Sequence, residues 1–182
     1  SIGFQATVSA AQQEVPSPLP PLVLDADALN LLAARDDWQK LLPANTILTP
    51  HPGEMARLCA MTTADVQANR LPLAQEKAKA WKTVIVLKGA HTIIASPDGQ
   101  AALLPFKTSA LAKAGTGDVL AGLCGGFLAQ GLSPFDAAVC AAYLHGYAGE
   151  LAQQNVGSAR SVLASDVLAH IGTAFTHISG RE

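Results

Sequence analysis

Apolar and polar positions along this chain separate strands from helices by their spacing. Short apolar runs at Leu22-Val23-Leu24, Thr46–Thr49 and Thr83–Leu87 read as buried strands of a parallel sheet. The last is the clearest, being rich in β-branched residues. Ile93–Ser96 and Ala101–Leu104, joined by the turn Pro97-Asp98-Gly99, read as an antiparallel hairpin. Helical spacing marks Thr7–Glu14, the stretch from Asp25 to Leu32, Asp36–Leu42, Met55–Cys59, Thr62 or Thr63 through Trp81, Val119–Leu132, Phe135–Gln154 and Leu163–Ile178. Ser133 with Pro134 starts one of these, and Ser165 or Asp166 stands near the start of the last. Four prolines between Pro16 and Pro21 forbid regular helix and mark a connector. Strands alternating with helices predict a three-layer α/β/α sandwich with a mostly parallel sheet, one domain over residues 1–182.

Composition narrows the function classes. Hydrophobic residues make up 49% of the 182 and the net charge is −2, with Lys and Arg scattered, so neither a nucleic-acid stripe nor a cationic membrane helix is expected. Cys59, Cys124 and Cys140 stand singly, an odd count without a Cys/His cluster, which argues against a disulfide framework or a zinc site. They read as reduced, mostly buried residues of a cytoplasmic protein. Val119–Leu132 contains four glycines and is too short to span a bilayer.

Candidate chemistry lies at predicted strand ends. Ala114-Gly115-Thr116-Gly117-Asp118 opens an apolar helix, and its glycines with the first-turn N–H groups make an anion site suited to phosphate. Asp118 there is either a helix cap or a base beside a transferring phosphoryl group. Asp25, Asp27 and Asn30 follow the first strand, where open α/β sheets bind ligands; turn chemistry is the plainer role, favoured for Asp27. His51 is pinned between Pro50 and Pro52 at the second strand's end, as a structural residue or a functional one. Lys88 beside Gly89 is a surface residue or a nucleotide contact. His145, with Tyr143 and Tyr147, reads as helix packing, and His170 and His177 as surface or packing residues.

Taken together, Leu24-Asp25-Ala26-Asp27-Ala28-Leu29-Asn30, Thr49-Pro50-His51-Pro52-Gly53-Glu54, Lys88-Gly89-Ala90-His91-Thr92 and Ala114–Gly122 resemble the NAD(P)H-hydrate dehydratase family of the ribokinase-like superfamily. The resemblance runs from about Pro21 to Ile171. It implies repair of hydrated NADH or NADPH, in which ADP or ATP phosphorylates the ring hydroxyl and phosphate is then eliminated. It implies Asp118 as the catalytic residue beside the substrate hydroxyl, and His51 as a substrate contact. Lys88, Gly89, Ala90, His91, Thr92, Gly115, Thr116 and Gly117 would line the nucleotide and phosphate site, with Gly115 to Gly117 as backbone donors. Asp25, Asn30 and Glu54 would give polar support, and Mg²⁺ would bridge phosphate oxygens with no protein ligand assigned to it. The family's domain is longer at its amino end, so this chain is expected to be a carboxyl-terminal portion of it. A homo-oligomer, fused to or paired with an NAD(P)H-hydrate epimerase, is expected. A small-molecule kinase of the hydroxyethylthiazole or hydroxymethylpyrimidine type would use the same Gly-Thr-Gly-Asp element, and a nucleotide-binding module without turnover is a third reading.

Overall fold

The computed structural model describes residues 19–43 and 45–180. The helix expected at Thr7–Glu14 and the first part of the proline connector lie outside them. Five strands form one sheet in the order β1 (Val23–Leu24), β2 (Ile47–Leu48), β3 (Val84–Leu87), β4 (Ile93–Ala95), β5 (Ala101–Leu103). β1, β2 and β3 are mutually parallel, β4 runs against β3, and β5 runs against β4. Four of the five strands therefore point the same way.

Side chains alternate across the strands, so each strand serves two cores. Leu48, Ile85, Leu87 and Ile93 face a layer made by α1 (Asp27–Ala33), α2 (Pro52–Cys59), α3 (Thr63–Ala68) and α4 (Arg70–Trp81). Ile47, Val84, Val86 and Ile94 face α5 (Thr116–Ala129) and α6 (Pro134–Val156). The final helix, α7 (Ala164–Ser179), packs on α6 around Leu144, Val162 and Val167. The three-layer sandwich is the expected one.

Caps set the helix limits. The Thr62 hydroxyl accepts the Asp65 N–H while the Asp65 carboxylate accepts the Thr62 N–H, a reciprocal pair that opens α3. Asn69 interrupts the run that the periodicity joins into one helix, giving α3 and α4. Ser133 accepts the Asp136 N–H, Pro134 fills the first helical position, and Gly157 closes α6 at φ 81°. At α7 it is Leu163 that stands at the cap, and the Asp166 carboxylate accepts its N–H at 2.8 Å.

Two expectations are corrected. Asp36–Leu42 forms only a short 3₁₀ turn, Trp38–Leu41, because Asp37 takes a left-handed conformation (φ 55°) and Trp38 is anchored in the core. The cysteines are not uniformly buried: Cys124 is, Cys59 is half-buried, and Cys140 is exposed on the outer side of α6.

Candidate active site at the carboxyl ends of the strands

The predicted residues meet where β1, β2 and β3 end. Parallel strands deliver their carboxyl ends to one edge, and the Lys88 N–H donates to the Pro50 carbonyl at 2.9 Å, holding two of those ends together. Lys88 Nζ donates to Asp25 Oδ1 at 2.6 Å and lies 3.8 Å from Glu54 Oε2. Both carboxylates are largely buried, so the lysine is charge-compensated from two sides. Ala26, next to Asp25, carries a φ of 50°, a strained value for a non-glycine residue at a strand end that must turn sharply.

His51 caps α2. Its Nδ1 accepts the N–H groups of Gly53 (3.0 Å) and Glu54 (3.3 Å), while the Glu54 carboxylate accepts the His51 N–H at 2.7 Å. Two donors at Nδ1 assign the proton of a neutral ring to Nε2, which sits 3.3 Å from Glu54 Oε1 with half of the side chain exposed. The proline-bracketed turn thus gives this histidine both roles, structural at one nitrogen and available at the other. Asn30 is placed elsewhere: its Oδ1 accepts from Arg57 Nε at 3.1 Å, tying α1 to α2.

Helix α5 enters the same edge. Gly115, at its cap, has φ 84°. A Cβ on Gly117 would lie 3.0 Å from Asp25 Oδ2 and 3.4 Å from Lys88 Nζ. A side chain there would push the helix start away from the Asp25–Lys88 pair. Thr116 is buried, and its hydroxyl donates to the carbonyls of Leu111 and Lys113 at 2.7 and 2.8 Å. Its own N–H reaches the Lys113 carbonyl at 3.3 Å, so Thr116 ties the helix start to the preceding loop as well as contributing to the glycine turn. Asp118 stands exposed in the first turn.

A cavity of about 360 Å³ opens at this place. His51, Lys88, Gly89, Ala90, Thr92, Thr116 and Gly117 are in its walls. His91, Gly115, Asp118, Asp25, Asn30 and Glu54 are not; His91 turns back with its N–H on Phe106 and Nδ1 3.2 Å from the Leu104 carbonyl. Walls that sequence reasoning missed are Phe106, Lys107 and Lys113 from the segment joining β5 to α5, and His145 from α6. Lys107 and Lys113 are visible in the sequence as cations preceding the glycine turn, but nothing in the pattern marks that segment as part of a site. Burial pushes the His145 imidazole down to about 4; a backbone hydrogen bond at Thr116 opposes this and the Lys88 charge adds to it. Burial, then the Asp25 charge, pushes the Cys124 thiol up to about 12. A neutral imidazole and a neutral thiol therefore lie beneath the charged edge.

This arrangement can hold an anionic ligand between a helix start and a lysine, with a carboxylate in the same first turn. Residues 2–172 match the family described as NAD(P)H-hydrate dehydratase. The chain belongs to that family. Relatives include the ADP-dependent (S)-NAD(P)H-hydrate dehydratase of Neisseria meningitidis, 42% identical over 149 residues that cover 81% of this chain and 50% of the relative. The bifunctional NAD(P)H-hydrate repair enzyme Nnr of Moorella thermoacetica is 46% identical over 165 residues, covering 90% of this chain and 31% of that protein. The ADP/ATP-dependent NAD(P)H-hydrate dehydratase of Bacillus subtilis, co-crystallised with ATP and Mg²⁺, superposes with a TM-score of 0.76 at 39% identity over 86% of this chain and 55% of that one. A ribokinase-like superfamily protein of Enterococcus faecalis superposes with a TM-score of 0.70 at 25% identity over 86% of this chain and 52% of that one, and hydroxyethylthiazole kinase of Pyrococcus horikoshii, at 19% identity and TM-score 0.66, shares the fold alone. The chain spans about half the length of the single-function dehydratase relatives.

Proposed function

We propose that this chain carries the nucleotide half of an enzyme that dehydrates NAD(P)H hydrate at the expense of ADP or ATP. The observation that supports the reading is the approach of Gly117, at the start of α5, to the Asp25–Lys88 pair, with Asp118 the next residue in the same turn. In the proposed reaction the Asp118 carboxylate takes the proton of the substrate's ring hydroxyl as that oxygen attacks the terminal phosphorus. The bond from phosphorus to the nucleotide oxygen breaks and the shortened nucleotide leaves. The ring nitrogen's lone pair then expels phosphate, and loss of a proton from the neighbouring ring carbon restores the dihydropyridine. Hydroxide is a poor leaving group and phosphate a good one, which is why a nucleotide is needed.

His51 Nε2 is the proposed donor to the hydrate, supported by its open face on the cavity. Lys88 to Thr92 and the Gly115–Gly117 turn are proposed for the nucleotide, with Asp25 and Glu54 holding Lys88 in place. Asn30 supports the site only through α2. Hydrated Mg²⁺ bound with the nucleotide would neutralise phosphate oxygens, with no residue of this chain assigned as its ligand. The bifunctional names of several relatives support an epimerase as fused or paired partner, and the same reading includes a cytoplasmic homo-oligomer.

The test is nucleotide-dependent return of dihydronicotinamide absorbance from NADH hydrate. Asp118→Ala is expected to lower turnover by about 100-fold or more while nucleotide affinity stays within a few-fold. A stable phosphorylated product in place of phosphate and NAD(P)H would move the assignment to a kinase.

A further inference from the structure

Arg70, the first residue of α4, reaches across to the loop after β3. Its Nη2 donates to the carbonyls of Leu87 (3.1 Å) and Lys88 (3.3 Å), and its Nη1 donates to the carbonyl of Ala90. The remaining carbonyl of this run, that of Gly89, accepts the Thr92 hydroxyl at 3.0 Å. In a trans peptide the N–H points opposite to the C=O of the same plane. Capturing the Lys88 and Gly89 carbonyls therefore turns the N–H groups of Gly89 and Ala90 the other way. Neither of those N–H groups has a backbone acceptor among the described residues, and both residues line the cavity. Gly89 holds φ 136°, and a Cβ there would lie 3.1 Å from Arg70 Nη2.

Taken locally, Arg70 is badly placed. A cation at a helix start opposes the helix dipole, and its Nε is buried with no hydrogen-bond partner. A local conflict of this kind, offset only by contacts to one loop, points to that loop as its purpose.

We propose that Arg70 is a positioning residue for the nucleotide site: by holding the carbonyls of Leu87, Lys88 and Ala90 it presents the Gly89 amide to the nucleotide and braces the loop in which Thr92 turns the Ala90 amide the same way. The proposal rests on the dehydratase reading for the identity of the ligand, but the loop geometry can be tested without turnover. In the full chain, Arg70→Gln is expected to raise the KM for ADP or ATP about tenfold or more, with kcat within about threefold and the KM for the hydrate unmoved. Arg70→Lys keeps the charge but loses the planar fork, so it should recover only part of the loss. Without nucleotide, the amide resonances of Gly89 and Ala90 should move and exchange of the His91 amide, which donates to the Phe106 carbonyl, should quicken in both variants while the β3 amides stay protected. Gly89→Ala, which disturbs the same contact from the loop side, should raise the nucleotide KM in the same way and covers the case in which an Arg70 variant does not fold. Direct ADP titration separates the two readings: weaker binding in the variants of a protein that never dehydrates the hydrate would support Arg70's role and sink the reaction. Full recovery by Arg70→Lys would overturn the proposal, as would a fall in kcat with nucleotide affinity unchanged, since Arg70 would then be a strut.

Discussion

On one face of the sheet Leu29, Trp38, Met55, Leu73 and Trp81 fill the space beneath α1 to α4. On the other, Ala137, Ala138, Ala141, Ala142 and Cys124 line α5 and α6. Large side chains bury much apolar area and hold helices at a distance, so each of these residues on the first face contributes more to stability than an alanine on the second. Small residues let backbones approach, so the second face decides where α5 and the segment before it lie. At Gly146 an added Cβ would fall 2.2 Å from Phe106 Cδ2, and at Gly149 2.7 Å from Leu111 Cδ2. Phe106 and Leu111 are cavity walls seated on α6. The bulky face keeps the protein folded, and the small one shapes the site.

The largest effect that would test this contrast is at Trp81, which stacks edge-on against Trp38 with ring centroids 4.8 Å apart. Trp81→Ala is expected to cost about 3–5 kcal/mol in urea unfolding, with nucleotide affinity unchanged in the folded protein. A matching loss of affinity would show that the two faces are coupled.

His145 comes next, as a polar group buried on the small-residue face. Its unfolded reference is 6.5 and its native value about 4, so between those values the unfolded chain binds a proton that the native protein does not. The stability that a neutral His145 contributes is expected to be complete above pH 6.5 and to be lost as pH falls toward 4, by roughly 3 kcal/mol. His145→Asn should flatten that part of the profile relative to the parent, read from denaturant melts across the range. An unchanged slope would mean that other groups dominate there.

The smallest expected effect is at Gly146. Gly146→Ala forces Phe106 to shift and should cost about 1–3 kcal/mol, together with weaker nucleotide binding. Adding Phe106→Leu should return part of both. Independent, additive losses in that double-mutant cycle would break the link between α6 packing and the cavity.

Local signals in the chain are legible where the physics is local. Thr62 with Asp65, Ser133 with Pro134 and the apolar run ending at Leu87 act through neighbours a few residues away, and the structure agrees with them. The helix expected at Asp36–Leu42 does not form because a helical pattern seven residues long is too weak to resist a left-handed Asp37 and a buried Trp38. In the site, the proline-bracketed His51 and the glycine turn are legible because unusual backbone needs unusual residues. Arg70 is not: it lies 17 to 20 residues from the carbonyls it holds, inside a helix of ordinary composition. His145 reads as packing, correctly as far as burial goes, but its place in a cavity wall depends on α6 passing under Thr116.

By itself the sequence determined the alternation of strands and helices, the caps, and the residue types at each strand's end, because those depend on spacing and backbone chemistry within a few residues. Only the tertiary structure decided that Lys88 pairs with Asp25 across 63 residues, that Arg70 turns the loop after β3, and that Phe106 and Lys107 belong to the site. Those contacts exist because parallel strands bring distant carboxyl ends to one edge and small residues let α5 and α6 close on it.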